Sequence, residues 1–216
     1  MASAKDIVIK PIKSHAANSV VKKIHYSGKV VPNSQLHFGV FLNGRLEGAL
    51  QFGPSMDKKK TQKLVSDTGF NDFIELNRMA FSDALPKFSE SRAIGYCLRF
   101  IKNKYPQIKW VISFSDGTQC GDGTIYRASG FYLTGIKENT GQRIDDETGE
   151  VFSQITFSAH RPNEKGYFKT LRKLKGKQLR YVYFIDKSYK EKLSVPILPF
   201  SDIDKMGAGM YKGKAI

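Results

Sequence analysis

FIELNRMAF (Phe73–Phe81), SRAIGYC (Ser91–Cys97), KWVISFSD (Lys109–Asp116) and IYRASGF (Ile125–Phe131) set out the architecture of this 216-residue chain. They read as strand, loop, helix, strand and short helix. Two parallel strands are therefore joined by a right-handed crossover. In open α/β sheets the ligand sits beyond the carboxyl ends of the strands, where neighbouring strands part. That edge collects Arg78, the Ser91–Arg92 turn, Asp116 and Tyr126. A core has little use for such side chains there, so they are candidate site residues.

A strand covered on both faces should be almost entirely apolar. WVISF meets that expectation and IELNRMAF does not. A period of two places Ile74, Leu76, Arg78 and Ala80 on one face, and Glu75, Asn77 and Met79 on the other. Arg78 thus falls in line with apolar residues. It is either a structural ion-pair partner of Glu75 or Asp116, or a cleft arginine aimed at a ligand. The second reading is preferred because the strand leads directly into the loop SDALPKFSESRAIG.

Pro86 and the serines break the strand pattern in that loop, and Ser89 or Ser91 can cap the following helix. Its apolar face reads Ala93, Ile94, Cys97, Leu98 and Ile101. Arg99, Lys102 and Lys104 come late, where the helix dipole favours cations. The free N–H groups at its start suit a phosphate, and Gly95 allows close approach.

Arg92, Gly95 and Cys97 form R-x-x-G-x-C, which resembles the acyl-donor loop Q/R-x-x-G-x-G/A of GNAT-fold acyltransferases, with Cys97 in place of Gly or Ala. Tyr126 to Phe131 resembles the Y-x-x-x-G-F close of that superfamily. A narrower resemblance is carried by KKIHYSGKVVPNSQLHFGVFLNGRLEGALQFGP, ELNRMAFSD, ESRAIGYCLRFIK and ISFSDGTQCGDGTIYRASGFYLTG, which look like the Mom family of bacteriophage DNA-modification proteins. It spans most of Lys22 to Gly135.

That resemblance implies an enzyme that converts adenine in double-stranded DNA to its N6-carbamoylmethyl (acetamido) derivative and protects phage DNA from host restriction. It implies an α/β, GNAT-like fold: a mixed, mostly antiparallel sheet with a central parallel pair splayed at the active site and helices on its flanks. Residues 1–160 would form the catalytic domain, and residues 161–216 a basic, aromatic-rich β extension packed on it. Tyr26, Arg78 and Asp116 are the expected catalytic residues. Ser91, Arg92, Gly95 and Tyr126 are expected to hold the group donor.

Composition agrees with a polyanionic partner. The net charge is +15, which favours nucleic acid and says nothing of fold. Two cysteines, Cys97 and Cys120, are too few for a disulfide framework and fit a reducing cytosol, here the cytoplasm of the bacterial host. No signal peptide, long apolar run or lipidation motif is visible, so a membrane is not an expected partner. His15, His25, His37 and His160 lack two-ligand metal spacing. A metal site built from His25, Tyr26 and a carboxylate stays open as the lesser alternative.

Arg161 to Lys192 holds eleven Lys or Arg against Glu164, Asp186 and Glu191, interleaved with six aromatic residues. Basic residues among aromatics suit phosphate contacts and base stacking. Lys169, Arg172, Lys173, Lys175, Lys177 and Arg180 are the expected nucleic-acid contacts; the alternative is a solvated basic face at a β edge.

The remaining elements are coarser. DIVIKPI reads as a first strand, SHAANSVVKKIHYSG as a helix ending near His25, Tyr26 and Gly28, and LHFGVFLNGRLEGALQFG as a hairpin with an Asn-Gly turn. DKKKTQK reads as a loop near the ligand. FYLTGIKE and VFSQITFS read as a hairpin around ENTGQRIDDETGE.

The amine of adenine is a poor nucleophile, because its lone pair is delocalised into the ring. An enzyme must take the base out of the stack, orient the nitrogen and stabilise charge on the electrophile. The carbamoylmethyl group has the elemental composition of a glycyl unit, so a glycyl donor such as glycyl-tRNA is expected, with acetyl-CoA as the rival. Two other functions compete: an acyl-CoA-dependent N-acetyltransferase of a small amine or protein, and a non-catalytic DNA-binding protein on the same scaffold.

Overall fold

The computed structural model describes residues 2–118, 121–139, 141–154, 157–158, 161–208, 210–211 and 214–215. Cys120 and His160, named above, lie outside the described residues. The first strand, β1 (Val8–Pro11), leads into helix α1 (Ser14–Ile24). It pairs antiparallel with β2 (Leu36–Leu42), which turns back as β3 (Arg45–Gly53). Asn43 and Gly44 take φ of 49° and 78° at this turn, the two positive values that a tight hairpin requires.

DKKKTQK is not a loop. Asp57 caps it by accepting from the Lys60 N–H, and it forms the short helix α2 (Lys58–Gln62). The strand β4 (Phe73–Phe81) then pairs antiparallel with β3. The crossover follows as expected: α3 (Ser89–Lys104), β5 (Trp110–Asp116) and α4 (Thr124–Ala128). The strands β4 and β5 are parallel, but their ladder covers only Phe73–Trp110, Ile74–Val111 and Glu75–Ile112. Beyond Glu75 the two strands share no further ladder pairs.

The chain continues through β6 (Tyr132–Glu138), β7 (Gln142–Ile144) and β8 (Val151–Ser153). It closes through the helix α5 (Lys165–Thr170), β9 (Arg172–Lys173) and β10 (Lys177–Phe184). The main sheet has seven strands in the order β1-β2-β3-β4-β5-β10-β6. The expected hairpin between FYLTGIKE and VFSQITFS does not form. Instead β8 pairs with β7 and β7 with β9, in a separate three-stranded sheet.

The chain divides into two compact units. The first comprises Met1–Phe114, Gly123–Gly135 and Arg180–Pro199. On one side of its sheet, α1 packs Ala17, Val20 and Val21 against Ala49 and Ala80. A second cluster joins Phe73, Trp110, Ile112, Val182 and Phe184, with the Phe73 and Trp110 rings stacked at 4.5 Å. Phe38 meets Phe52 and Phe100 edge to face, which seats α3. The second unit comprises Ser115–Asp122, Ile136–Leu179 and Phe200–Ile216, and its small core is Phe152, Phe157, Phe168 and Leu171. Among the described residues no helix is long and apolar enough to cross a membrane.

Candidate active site

The strand β4 carries a β-bulge where its ladder with β5 ends. Gln51 pairs with Arg78 and Phe52 with Leu76, so Asn77 is the extra residue. A bulge breaks the period of two. Arg78 and Leu76 therefore point to opposite faces, which corrects the shared face expected from the sequence. Arg78 joins the face of its partner Gln51, whose Nε2 donates to Asn18 on α1.

Arg78 is anchored by main chain rather than by an acid. Its Nε donates to the Lys29 carbonyl at 3.0 Å and its Nη1 to the Asn77 carbonyl at 2.7 Å. Burial lowers its pKa, against the raising influence of Tyr26 and Glu75. The guanidinium keeps its charge in any case. Glu75, also on this side, is pushed up by burial, while hydrogen bonds with Ser55 and Asn77 and the charge of Arg78 oppose the shift. The alternative reading, an ion pair with Glu75, is met only as a through-space interaction.

The turn after α1 lies at this arginine. His25 is the C-cap of α1, and its ring centroid is 4.2 Å from that of Tyr26. The Ser27 N–H donates to His25 Nδ1 at 3.1 Å, which leaves Nε2 as the protonated nitrogen of the neutral ring. Burial, then the charge of Arg78, push the imidazole down to about 4. Tyr26 is half exposed. The described part of this cluster is therefore one fixed cation, one neutral imidazole and one accessible phenol ring. Among the described residues no three His, Cys, Asp or Glu side chains gather as a metal site.

Where β4 and β5 part, Ser113 Oγ lies 3.3 Å from the Leu76 carbonyl and 2.9 Å from Tyr126 Oη. Tyr126 is buried, with its ring packed against Tyr181 and Phe131. The small hydroxyl of Ser113, which the sequence reading passed over, locates the phenol in that gap.

Ser91, Arg92 and Gly95 line a depression of about 390 Å³ together with Ala4, Phe88 and Arg99. Arg99 could have been found from sequence, because 92, 95 and 99 share one helical face. The expected serine caps do not form. Ser89 Oγ and Ser91 Oγ donate back to the Pro86 and Phe88 carbonyls, and Phe88 at the N-cap offers no side-chain bond. A Cβ on Gly95 would meet only the end of Arg99, at 3.5 Å. A 16-residue helix with an uncapped start, two guanidinium groups and an open glycine fits a phosphate-bearing donor. Cys97 is fully buried and its thiol pKa is raised by burial, so it packs rather than reacts.

Asp116 belongs to the second unit and is a hub of hydrogen bonds there. Its Oδ1 accepts from Thr118 N at 3.0 Å, Thr118 Oγ1 at 2.5 Å and Asn139 Nδ2 at 2.8 Å, and its Oδ2 accepts from Gln142. Of the six basic residues singled out, three have internal partners. Arg172 makes a bidentate pair with Asp146, Lys177 pairs with Glu138, and Arg180 donates to Thr134 Oγ1 and its carbonyl. Lys169, Lys173 and Lys175 are exposed.

The strand order, the parted parallel pair and the phosphate-suited start of α3 define a GNAT-like transferase fold. Solved structures share it: an N-acetyltransferase from Staphylococcus aureus Mu50, at 13% identity and TM-score 0.51, over 83% of this chain and 98% of that one. NAA60 of Arabidopsis thaliana in complex with a bisubstrate analogue is similar at 10% identity and TM-score 0.53, over 82% of this chain and 97% of that one. The methylcarbamoylase mom of Escherichia phage Mu is 34% identical over 201 residues, 90% of this chain and 82% of that protein. The Mom protein family matches residues 6–202, and the chain belongs to that family.

Proposed function

We propose that this chain is a transferase that converts adenine in double-stranded DNA to N6-carbamoylmethyl adenine and so shields phage DNA from restriction. The observation that carries this reading is the seating of Arg78 beside His25 and Tyr26, just past the point where β4 and β5 part. The phage Mu relative is named a methylcarbamoylase, after a group with the same atoms as carbamoylmethyl, which supports a product of this composition.

In this reading Tyr26 stacks on the extruded base, since its ring is accessible and faced by an uncharged imidazole. The guanidinium of Arg78, fixed by two carbonyls, stabilises negative charge that develops on the donor carbonyl as the amine attacks. The N6–acyl bond forms as the donor's carrier leaves, and the glycyl unit then rearranges on the adenine so that its methylene carbon replaces the carbonyl carbon on N6. Ser91, Arg92 and Gly95 hold the donor's phosphates. Tyr126, held by Ser113, positions the reacting end of the donor. Asp116, whose carboxylate already takes bonds from Thr118, Asn139 and Gln142, sets the turn that ends β5.

A glycyl donor, such as glycyl-tRNA, accounts for the atoms of the product; acetyl-CoA is the rival that the depression beside Arg92 would also accommodate. Nucleoside mass analysis of DNA from cells expressing the chain tests the reading, and labelled glycine tests the donor. Unmodified adenine would reject the DNA-modifying function. Label entering from acetate and not from glycine would reject the glycyl donor.

A further inference from the structure

Between Ile7 and Leu46 the chain has no Asp or Glu, yet it holds Lys10, Lys13, Lys22, Lys23, Lys29 and Arg45. The helix α1 lies within this stretch. It buries Ala17, Val20 and Val21, and exposes His15, Ser19, Lys22 and Lys23. These four positions follow one another at intervals of four, three and one, so they form a single stripe. The half-exposed Tyr26 comes next along the chain. Lys13, exposed at the N-cap, adds a cation at the other end. Among the described residues none of Lys13, Lys22 and Lys23 is in an ion pair.

The helix dipole accounts for Lys22 and Lys23 in the last turn. It does not account for Lys13, since the first turn of a helix favours acids and α1 has none there. A helix face that carries lysines and no acid is instead what a polyanion requires. Duplex DNA presents one charge per about 1.7 Å of its axis, and a helix of this length, about 16 Å, passes several of them. The other basic region is less available. Arg172, Lys177 and Arg180 are held by Asp146, Glu138 and Thr134.

We infer that the exposed face of α1 is a docking surface for the phosphate backbone of duplex DNA, which it leads toward Tyr26 and Arg78. The inference rests on the DNA-modifying function proposed above. Phosphate contacts position a duplex and base contacts read it, so this surface sets affinity and approach, without sequence preference.

The test is binding of the full chain to a labelled duplex of mixed sequence, by fluorescence anisotropy over a range of salt concentrations. Lys13→Ala, Lys22→Ala and Lys23→Ala combined are compared with Lys169→Ala, Lys173→Ala and Lys175→Ala combined. All three α1 positions are exposed and alanine is a good helix former, so melting should be unchanged. The α1 variant should bind at least about tenfold more weakly, with a log–log salt slope shallower by up to about 3. Modified adenine should fall in parallel and recover at low salt. An unchanged slope in the α1 variant, or loss of binding to a tRNA but not to the duplex, would overturn the inference. A wild-type chain that binds duplex through α1 but leaves adenine unmodified would refute the proposed function and leave the docking surface standing.

Discussion

Glu75 and Arg78 act on each other from one side of β4 although three positions separate them, because Asn77 bulges out of the ladder. An unbroken strand would send them to opposite faces. The bulge is thus what brings the cationic side chain to the end of α1.

Arg78→Lys keeps a charge but loses the planar fork that serves Lys29 and Asn77. We expect the modified fraction of adenine to fall by at least about 100-fold, the scale of losing a preorganised donor. Nucleoside mass analysis reads this, with melting measured in parallel. Wild-type levels of modification in the lysine variant would show that the fork is dispensable.

Phe88 takes a left-handed φ of 70° while most of its side chain is exposed. That conformation costs a large residue about 1 kcal/mol or more. Phe88→Gly should therefore melt at or above the parent temperature, despite glycine's greater freedom when unfolded. Because Phe88 lines the depression with Arg92 and Arg99, the same variant should bind a phosphate-bearing donor more weakly. Lower melting with unaltered donor affinity would show that Phe88 is an ordinary cap residue.

Asp116→Ala would strand the buried donors of Thr118 and remove the acceptor of the half-buried Asn139 and Gln142 amides. A buried polar group left without its partner costs about 1–3 kcal/mol, so a loss of about 2–4 kcal/mol is expected after partial relaxation. Chemical denaturation measures it. A variant as stable as the parent would mean that the carboxylate does not hold this turn.

His25 ties stability to pH. Its folded pKa is near 4 against an unfolded value of 6.5, so the unfolded chain binds more protons between these limits. The contribution is complete above about pH 6.5 and is lost as pH falls toward 4. Glu75, with a raised pKa, works in the opposite sense as pH rises above its ordinary value. Comparing His25→Asn with the parent isolates the imidazole. The parent should lose more melting temperature between pH 7 and pH 5, and parallel curves for the two proteins would refute the assignment.

Much of the scaffold was legible because local and global signals agreed. WVISF is buried on both sides and reads that way, with Trp110, Val111, Ile112 and Ser113 fully enclosed. Asn43–Gly44 is a turn by its own chemistry. The bulge at Asn77 was not legible, since it depends on β3 and on no pattern within β4. Gln142–Ile144 carries no apolar alternation, so its strand was hidden inside a polar loop. Counting lysines and arginines could not reveal that Asp146 and Glu138 fold back onto Arg172 and Lys177. The pairing of Tyr126 with Ser113 required the two strands to part first.

The position of β10 between β5 and β6 has a consequence for how the protein is made. Both neighbours are complete by Glu138, yet the strand that joins them starts at Lys177. During synthesis β5 and β6 wait with open edges while the intervening residues emerge, a period in which unpaired strands invite association with other chains. Ribosome release of a chain cut short before Lys177 should give insoluble protein, whereas supplying the missing strand as a separate peptide should rescue solubility.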